Sequence, residues 1–134
     1  MIGSLMSKST EWRLSLATAL LFKSQTAAAR DELTTAAPLI VRYDLGARYA
    51  ATAALLASQE GRIQAAARLL GYGESTFAAH QLDAYDPSES RARDLTLQRL
   101  AASADQNDVE EWMRAGASMT VEDAYRLALA VASD

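Results

Sequence analysis

The sequence predicts an all-α fold in which about seven helices form antiparallel pairs. The chain contains 29 alanines and 18 leucines but only seven valines and isoleucines, so strong helix formers far outnumber the β-branched residues that favour strands. Half of the 134 residues are hydrophobic and 22% are charged, which is an ordinary composition for a chain with a buried core. This length suits one compact unit. We therefore expect residues 1–134 to form a single helical domain.

A first helical pair is predicted over residues 9–42. Its first helix covers about residues 9–23, with apolar side chains on more than one face. Its second helix begins after Thr26 and reaches Pro38. Because proline lacks a backbone N–H and disfavours a helical conformation in the preceding residue, we expect a stop or a kink at this position.

A second pair is predicted over residues 44–82. Asp44 is suited to cap the start of its first helix, and Gly61 is suited to end it, since glycine adopts the left-handed conformation of a C-terminal cap without a steric penalty. The next helix contains the sequence Gly71-Tyr72-Gly73. Whether residues 62–82 form one kinked helix or two is left open by this pattern.

Capping helices are predicted over residues 86–134. The sequence Asp86-Pro87-Ser88-Glu89 combines a cap, a proline at the first helical position and a glutamate three residues after the cap. This helix should continue to about residue 104. Asn107 is expected to cap a short helix that ends at Gly116, and Thr120 to cap the last helix.

An internal similarity favours a repeat. The sequence Ala-Ala-Ala-Arg at residues 27–30 recurs at residues 65–68, an offset of 38, and the Leu-Leu pair at 20–21 recurs at 55–56, an offset of 35. Small residues where two helices cross let their axes approach closely, as a tetratricopeptide-like repeat requires. We interpret the two pairs as a short repeat array. An ordinary helical bundle is the alternative.

Two segments resemble a known family. Residues 59–71, QEGRIQAAARLLG, and residues 111–130, EWMRAGASMTVEDAYRLALA, are similar to the tetratricopeptide-like C-terminal region of large bacterial multidomain regulators. Those regulators join a winged-helix, LuxR-type or cyclase domain to a STAND-type ATPase. The resemblance implies a helical-repeat fold and a general role in protein or ligand sensing. It implies neither ATPase nor DNA-binding activity here, since the sequence contains no GxxxxGK[ST] loop and no DNA-binding domain.

Composition argues against an enzyme. With no cysteine and one histidine, thiol chemistry is excluded and a serine triad would have to be built around His80. Asp83 lies three residues after His80, but no nucleophile motif accompanies them. The carboxylates of residues 105–111 are explained by the preference of helix N-termini for negative charge. We expect no catalytic residues, no cofactor and no metal.

Charge and hydropathy limit the environment of the protein. Residues 73–134 contain five Lys/Arg and twelve Asp/Glu, which disfavours nucleic-acid binding because that affinity depends largely on cations that neutralise phosphates. No signal sequence and no apolar stretch of membrane-spanning length is present. We expect a cytoplasmic protein with no nucleic-acid or membrane partner.

The N-terminal helix is the main candidate for partner binding. Trp12, Leu16 and Leu20 form one apolar stripe, whereas Leu14 lies in a second stripe with residues 17 and 21. The second helix of the pair can cover only one of them. We expect self-association as a homodimer, with Trp12, Leu14, Leu16 and Leu20 in the contact.

A second candidate surface follows from the repeat interpretation. The first helices of successive pairs line the concave face of a helical-repeat protein, which here would present Arg42, Arg48 and Tyr49. The sequence therefore predicts a noncatalytic helical-repeat protein-interaction module, related to or cut from a bacterial signalling or transcriptional regulator. The alternative is a small-molecule sensing domain with its ligand between the helical pairs.

Overall fold

A computed structural model describes residues 13–40, 46–79 and 87–133. These residues form seven helices and contain no strand, which confirms the all-α prediction. The first helix, α1, is described over residues 13–22. The others are α2 (Thr26–Ile40), α3 (Gly46–Gln59), α4 (Ile63–Ala79), α5 (Pro87–Ser103), α6 (Gln106–Ala117) and α7 (Val121–Ser133). In the described part of the chain, none of the helices has the length and apolar content that crossing a membrane requires.

Helices α3 and α4 lie at the centre of the fold. Helix α3 contacts α2, α4, α5 and α7, and α4 packs most extensively against α3 and α6. Every residue from 52 to 58 in α3 is buried, as expected for a helix with neighbours on all sides. The largest side chains that are fully buried include leucines 33, 55, 56, 69, 70 and 100. The core is therefore made mainly of leucine and alanine.

The turn between α3 and α4 confirms the prediction for Gly61. This glycine has a φ of 81°, in the left-handed region. The Arg62 amide donates to the Ala57 carbonyl at 2.9 Å, and the Gly61 amide donates to the Ser58 carbonyl at 3.4 Å. These two bonds define a Schellman motif, which satisfies carbonyls at the end of α3.

The turn between α1 and α2 has the same arrangement without a glycine. Ser24 has a φ of 59°. The Gln25 amide donates to the Leu20 carbonyl at 2.8 Å, and the Ser24 amide donates to the Leu21 carbonyl at 3.0 Å. Ser24 and Gly61 are thus equivalent positions, 37 residues apart. A side chain at the left-handed position costs free energy that glycine avoids.

Pro38 does not stop α2. The helix continues through it to Ile40, whereas the sequence suggested a stop or a kink. Leu33 and Ala36, in the turn before the proline, are fully buried in the core. Residues 39 and 40 are the described helical residues after Pro38, and the missing N–H of the proline removes a single backbone hydrogen bond.

The Gly71-Tyr72-Gly73 sequence does not break the fourth helix either. Helix α4 runs continuously from Ile63 to Ala79, which answers the question that the sequence left open up to residue 79. Gly71 is required by packing, because a Cβ there would overlap the backbone of Met113 in α6. The glycine allows two helix backbones to touch.

The bounds of α6 correct two predictions. Asp105, not Asn107, is its N-cap, and the helix ends at Ala117 with Ser118 as the C-cap. Gly116 is therefore a residue of the last turn and not a left-handed cap. A Cβ at Gly116 would overlap the backbone of Arg68 in α4. The crossing of α4 and α6 thus has a glycine on each helix.

One helix start agrees with the sequence, and a second is only partly described. Helix α5 is described from Pro87, the predicted first helical position, and its predicted cap, Asp86, lies outside the described residues. At the start of α7 the Thr120 hydroxyl accepts a hydrogen bond from the Asp123 amide at 3.1 Å, which is the expected N-cap bond.

Candidate interaction surfaces

The two apolar stripes of α1 have different environments. Leu14 is 4% exposed and Leu21 is 1% exposed, and both belong to the core. Leu16 and Leu20 are only partly buried. Leu14 was predicted to lie on an exposed contact surface; this is wrong for the single chain, which buries that side chain in its own core. We use the name α1 stripe for Leu16 and Leu20; Trp12 lies outside the described residues.

Polar contacts hold α1 on α3. The hydroxyl groups of Thr18 and Thr52 lie 3.1 Å apart in a buried contact. The Gln59 side-chain amide donates to the Leu21 carbonyl at 2.8 Å, but its own buried oxygen, Oε1, has no hydrogen-bond partner. An unsatisfied buried acceptor costs free energy. The contact between α1 and α3 therefore contains one buried polar atom without a hydrogen bond.

Two contacts that involve charged side chains join α1 to its neighbours. Arg13 pairs with Glu32 of α2 at 3.2 Å, and both side chains are partly exposed, so the pair contributes at most about 1 kcal/mol. Arg91 of α5 lies over the ring of Phe22, 4.3 Å from its centroid, within the range of a cation–π contact. Helix α1 thus contacts α2, α3 and α5.

Of the three residues of the predicted concave surface, the structure describes the side chain of Tyr49. Tyr49 is 1% exposed, and its hydroxyl donates to the Leu33 carbonyl at 3.0 Å. Burial, together with the nearby Tyr125, raises the pKa of the Tyr49 phenol far above its ordinary value. Tyr49 is a core residue, so its predicted role in partner binding is wrong. Arg48 lies in α3, and Arg42 lies outside the described residues.

An open depression lies between α4 and α6. Its volume is about 500 Å³, and it is widely open to solvent. It is lined by Gly71, Glu74, Ser75, Glu110, Met113, Arg114 and Ala117. Glu74 is already paired with Arg93 of α5. Ligand pockets usually enclose most of a small molecule, and this depression does not.

The acidic side chains of the described ranges are not gathered into a cluster of metal-ligand type. These ranges contain no group of three or more His, Asp or Glu side chains that could hold a metal ion. His80 lies outside them. The features that the sequence missed are the hydroxyl contact between α1 and α3 and the two crossing glycines. Neither had a signal in the sequence, because both depend on which helices meet.

Comparison with known proteins adds no relative. No protein-family model matches the chain, and searches of curated proteins and of solved structures give no significant match.

Proposed function

We propose that this protein is a noncatalytic helical interaction module that self-associates through the α1 stripe. The observation that carries the proposal is the difference between the two faces of α1. One face is buried in the chain, whereas Leu16 and Leu20 on another remain partly exposed. A homodimer brings two copies of the stripe together, and burying the exposed area of four leucines favours association at roughly 25 cal/mol per Å².

The repeat interpretation is part of this proposal. Its support is the pair of turns at Ser24 and Gly61, which share the same hydrogen-bond arrangement. Their separation of 37 residues lies between the offsets of 35 and 38 in the sequence. Equivalent turns at equivalent positions are typical of stacked helical hairpins.

The relation to bacterial regulators remains a proposal based on the resemblance alone. A detached or C-terminal helical region of such a regulator would bind protein and not catalyse a reaction. Reading the adjoining genes tests it: an ATPase or DNA-binding domain beside this chain supports the relation, and unrelated neighbours argue against it.

The small-molecule alternative has less support. It requires an enclosed apolar cavity with converging polar groups. The depression between α4 and α6 is open, and such a surface is better suited to a macromolecular contact.

Sedimentation equilibrium tests self-association. We expect a dimer at about 100 µM, a concentration that detects association free energies of roughly −5.5 kcal/mol. Leu16→Glu should weaken the dimer at least about tenfold, because it places a charge in the contact. Ser15→Glu is the matched control: Ser15 is an exposed neighbour on α1 outside the stripe, and this variant should dimerise normally. A wild-type protein that stays monomeric would contradict the proposal.

A further inference from the structure

The turn that joins α1 to α2 is short and contains a serine in an unfavourable backbone conformation. Only Lys23, Ser24 and Gln25 separate the two helices. Ser24 has a φ of 59°, a conformation that disfavours side chains with a Cβ. The equivalent position of the second hairpin is Gly61, which adopts the same region without that penalty. The first turn is therefore the less stable of two equivalent turns.

The sequence across this turn is compatible with a continuous helix. Residues 20–30 read LLFKSQTAAAR, with no glycine or proline and with several strong helix formers. If Ser24 became helical, residues 13–40 would form one helix about 42 Å long, at 1.5 Å per residue. Opening the turn would remove the left-handed residue and add helical hydrogen bonds.

The surface under α1 is specific for α1. It offers the Thr52 hydroxyl to Thr18, the Gln59 amide to the Leu21 carbonyl, and a core contact for Leu14. A second copy of the chain carries the same α1 and makes each of these contacts identically. Exchange of α1 between copies therefore keeps every contact that α1 makes in the closed monomer. The free energy of exchange then depends on the conformation of the hinge and on the cost of bringing two chains together.

We propose that two copies of this chain associate by exchanging α1. The inference rests on the proposed self-association and specifies its geometry. Each α1 leaves its own α3 and occupies the same site on the partner, while residues 13–40 of each copy form one helix. The two long helices then lie antiparallel and cross near Ser24. Leu20 is one helical turn from that crossing, which places part of the α1 stripe at the new contact.

A two-cysteine variant tests the exchange. The natural chain contains no cysteine, so Thr18→Cys with Thr52→Cys introduces a single pair. The hydroxyl oxygens at these positions are 3.1 Å apart, and a small shift brings two sulfurs to the bond length of about 2.0 Å. The dimer fraction is isolated, oxidised and examined by denaturing gel without reductant. An exchanged dimer gives a covalent dimer, whereas an unexchanged one gives only internally bonded monomers.

The outcomes separate the two proposals. A dimer with disulfides between chains supports both. A dimer with disulfides only within chains contradicts exchange but leaves self-association through the α1 stripe intact. A protein that is monomeric at about 100 µM contradicts both.

Hinge variants provide a test in a chain without cysteine. Ser24→Gly favours the closed turn and disfavours the long helix, and each dimer contains two hinges. We therefore expect its dissociation constant to rise about tenfold or more. Ser24→Ala should lower the constant, since alanine favours the long helix. The control Ser15→Ala makes the same change at an exposed site on α1 and should leave the constant unaltered. Equal constants for Ser24→Gly and Ser24→Ala would overturn the exchange.

Discussion

Two helix contacts in this molecule are built in opposite ways. Where α4 crosses α6, Gly71 and Gly116 bring the backbones into direct contact. Where α1 lies on α3, the contact uses leucines, a pair of threonine hydroxyls and a glutamine with an unsatisfied oxygen. At the backbone crossing there is no side chain that can adjust. At the other contact, the α1 of a second copy can bind the same side chains of α3. The difference suggests a fixed body, α3 to α7, and a first helix that can be exchanged.

The largest expected effect is at the glycine crossing. Gly71→Ala and Gly116→Ala should each lower the free energy of unfolding by about 3 kcal/mol, because the added Cβ meets backbone that moves only if the helices separate. The double variant should lose less than the sum, since the first substitution already separates α4 from α6. Urea unfolding followed by circular dichroism measures this. Losses below about 0.5 kcal/mol would show that the crossing is not tight.

A large-to-small substitution on the buried face of α1 should have a smaller effect. Leu21 is 1% exposed, and Leu21→Ala should cost about 2 to 3 kcal/mol, the lower part of the range for such changes. Leu16→Ala, on the partly exposed stripe of the same helix, is the control and should cost less than about 1 kcal/mol in the monomer. Equal costs for the two leucines, measured by urea unfolding at low concentration, would contradict the assignment of the two faces.

Both turns should be more stable with glycine at the left-handed position than with a residue that carries a Cβ. Ser24→Gly should stabilise the fold, and Gly61→Ala should destabilise it, each by roughly 1 kcal/mol. No atom lies within 4 Å of a Cβ built at Gly61, so the cost there comes from backbone conformation and not from crowding. Thermal unfolding of both variants checks this. A shift in the same direction for both would show that the turns are not equivalent.

The smallest effect is expected at the hydroxyl pair. Thr18→Val should cost less than about 1 kcal/mol, and the double variant Thr18→Val with Thr52→Val should cost no more than the single one. The reason is that the double variant removes both hydroxyls of this contact, so that neither faces an apolar methyl group. A double-mutant cycle measures the coupling. Costs that simply add would show that the two hydroxyls do not interact.

Much of the local structure was predictable, whereas the candidate surface was only partly so. The start of α7 and the end of α3 were placed correctly, because caps act through neighbouring residues. Leu14 and Tyr49 were assigned to binding and are instead buried. Helical periodicity identifies apolar faces, but it does not show which face the rest of the chain will cover.

The glycines show most clearly which features the sequence alone does not predict. Gly61 and Gly116 were both predicted to end helices, and only Gly61 does. Composition and capping patterns by themselves determined that the chain is all-α and where α3 ends and α7 begins, since those properties depend on local propensity. The tertiary structure alone decided that Gly71 and Gly116 serve a helix crossing, that Pro38 lies within α2, and that one face of α1 is buried. Each of these depends on contacts between residues far apart in the chain, whose packing free energy exceeds the local preferences.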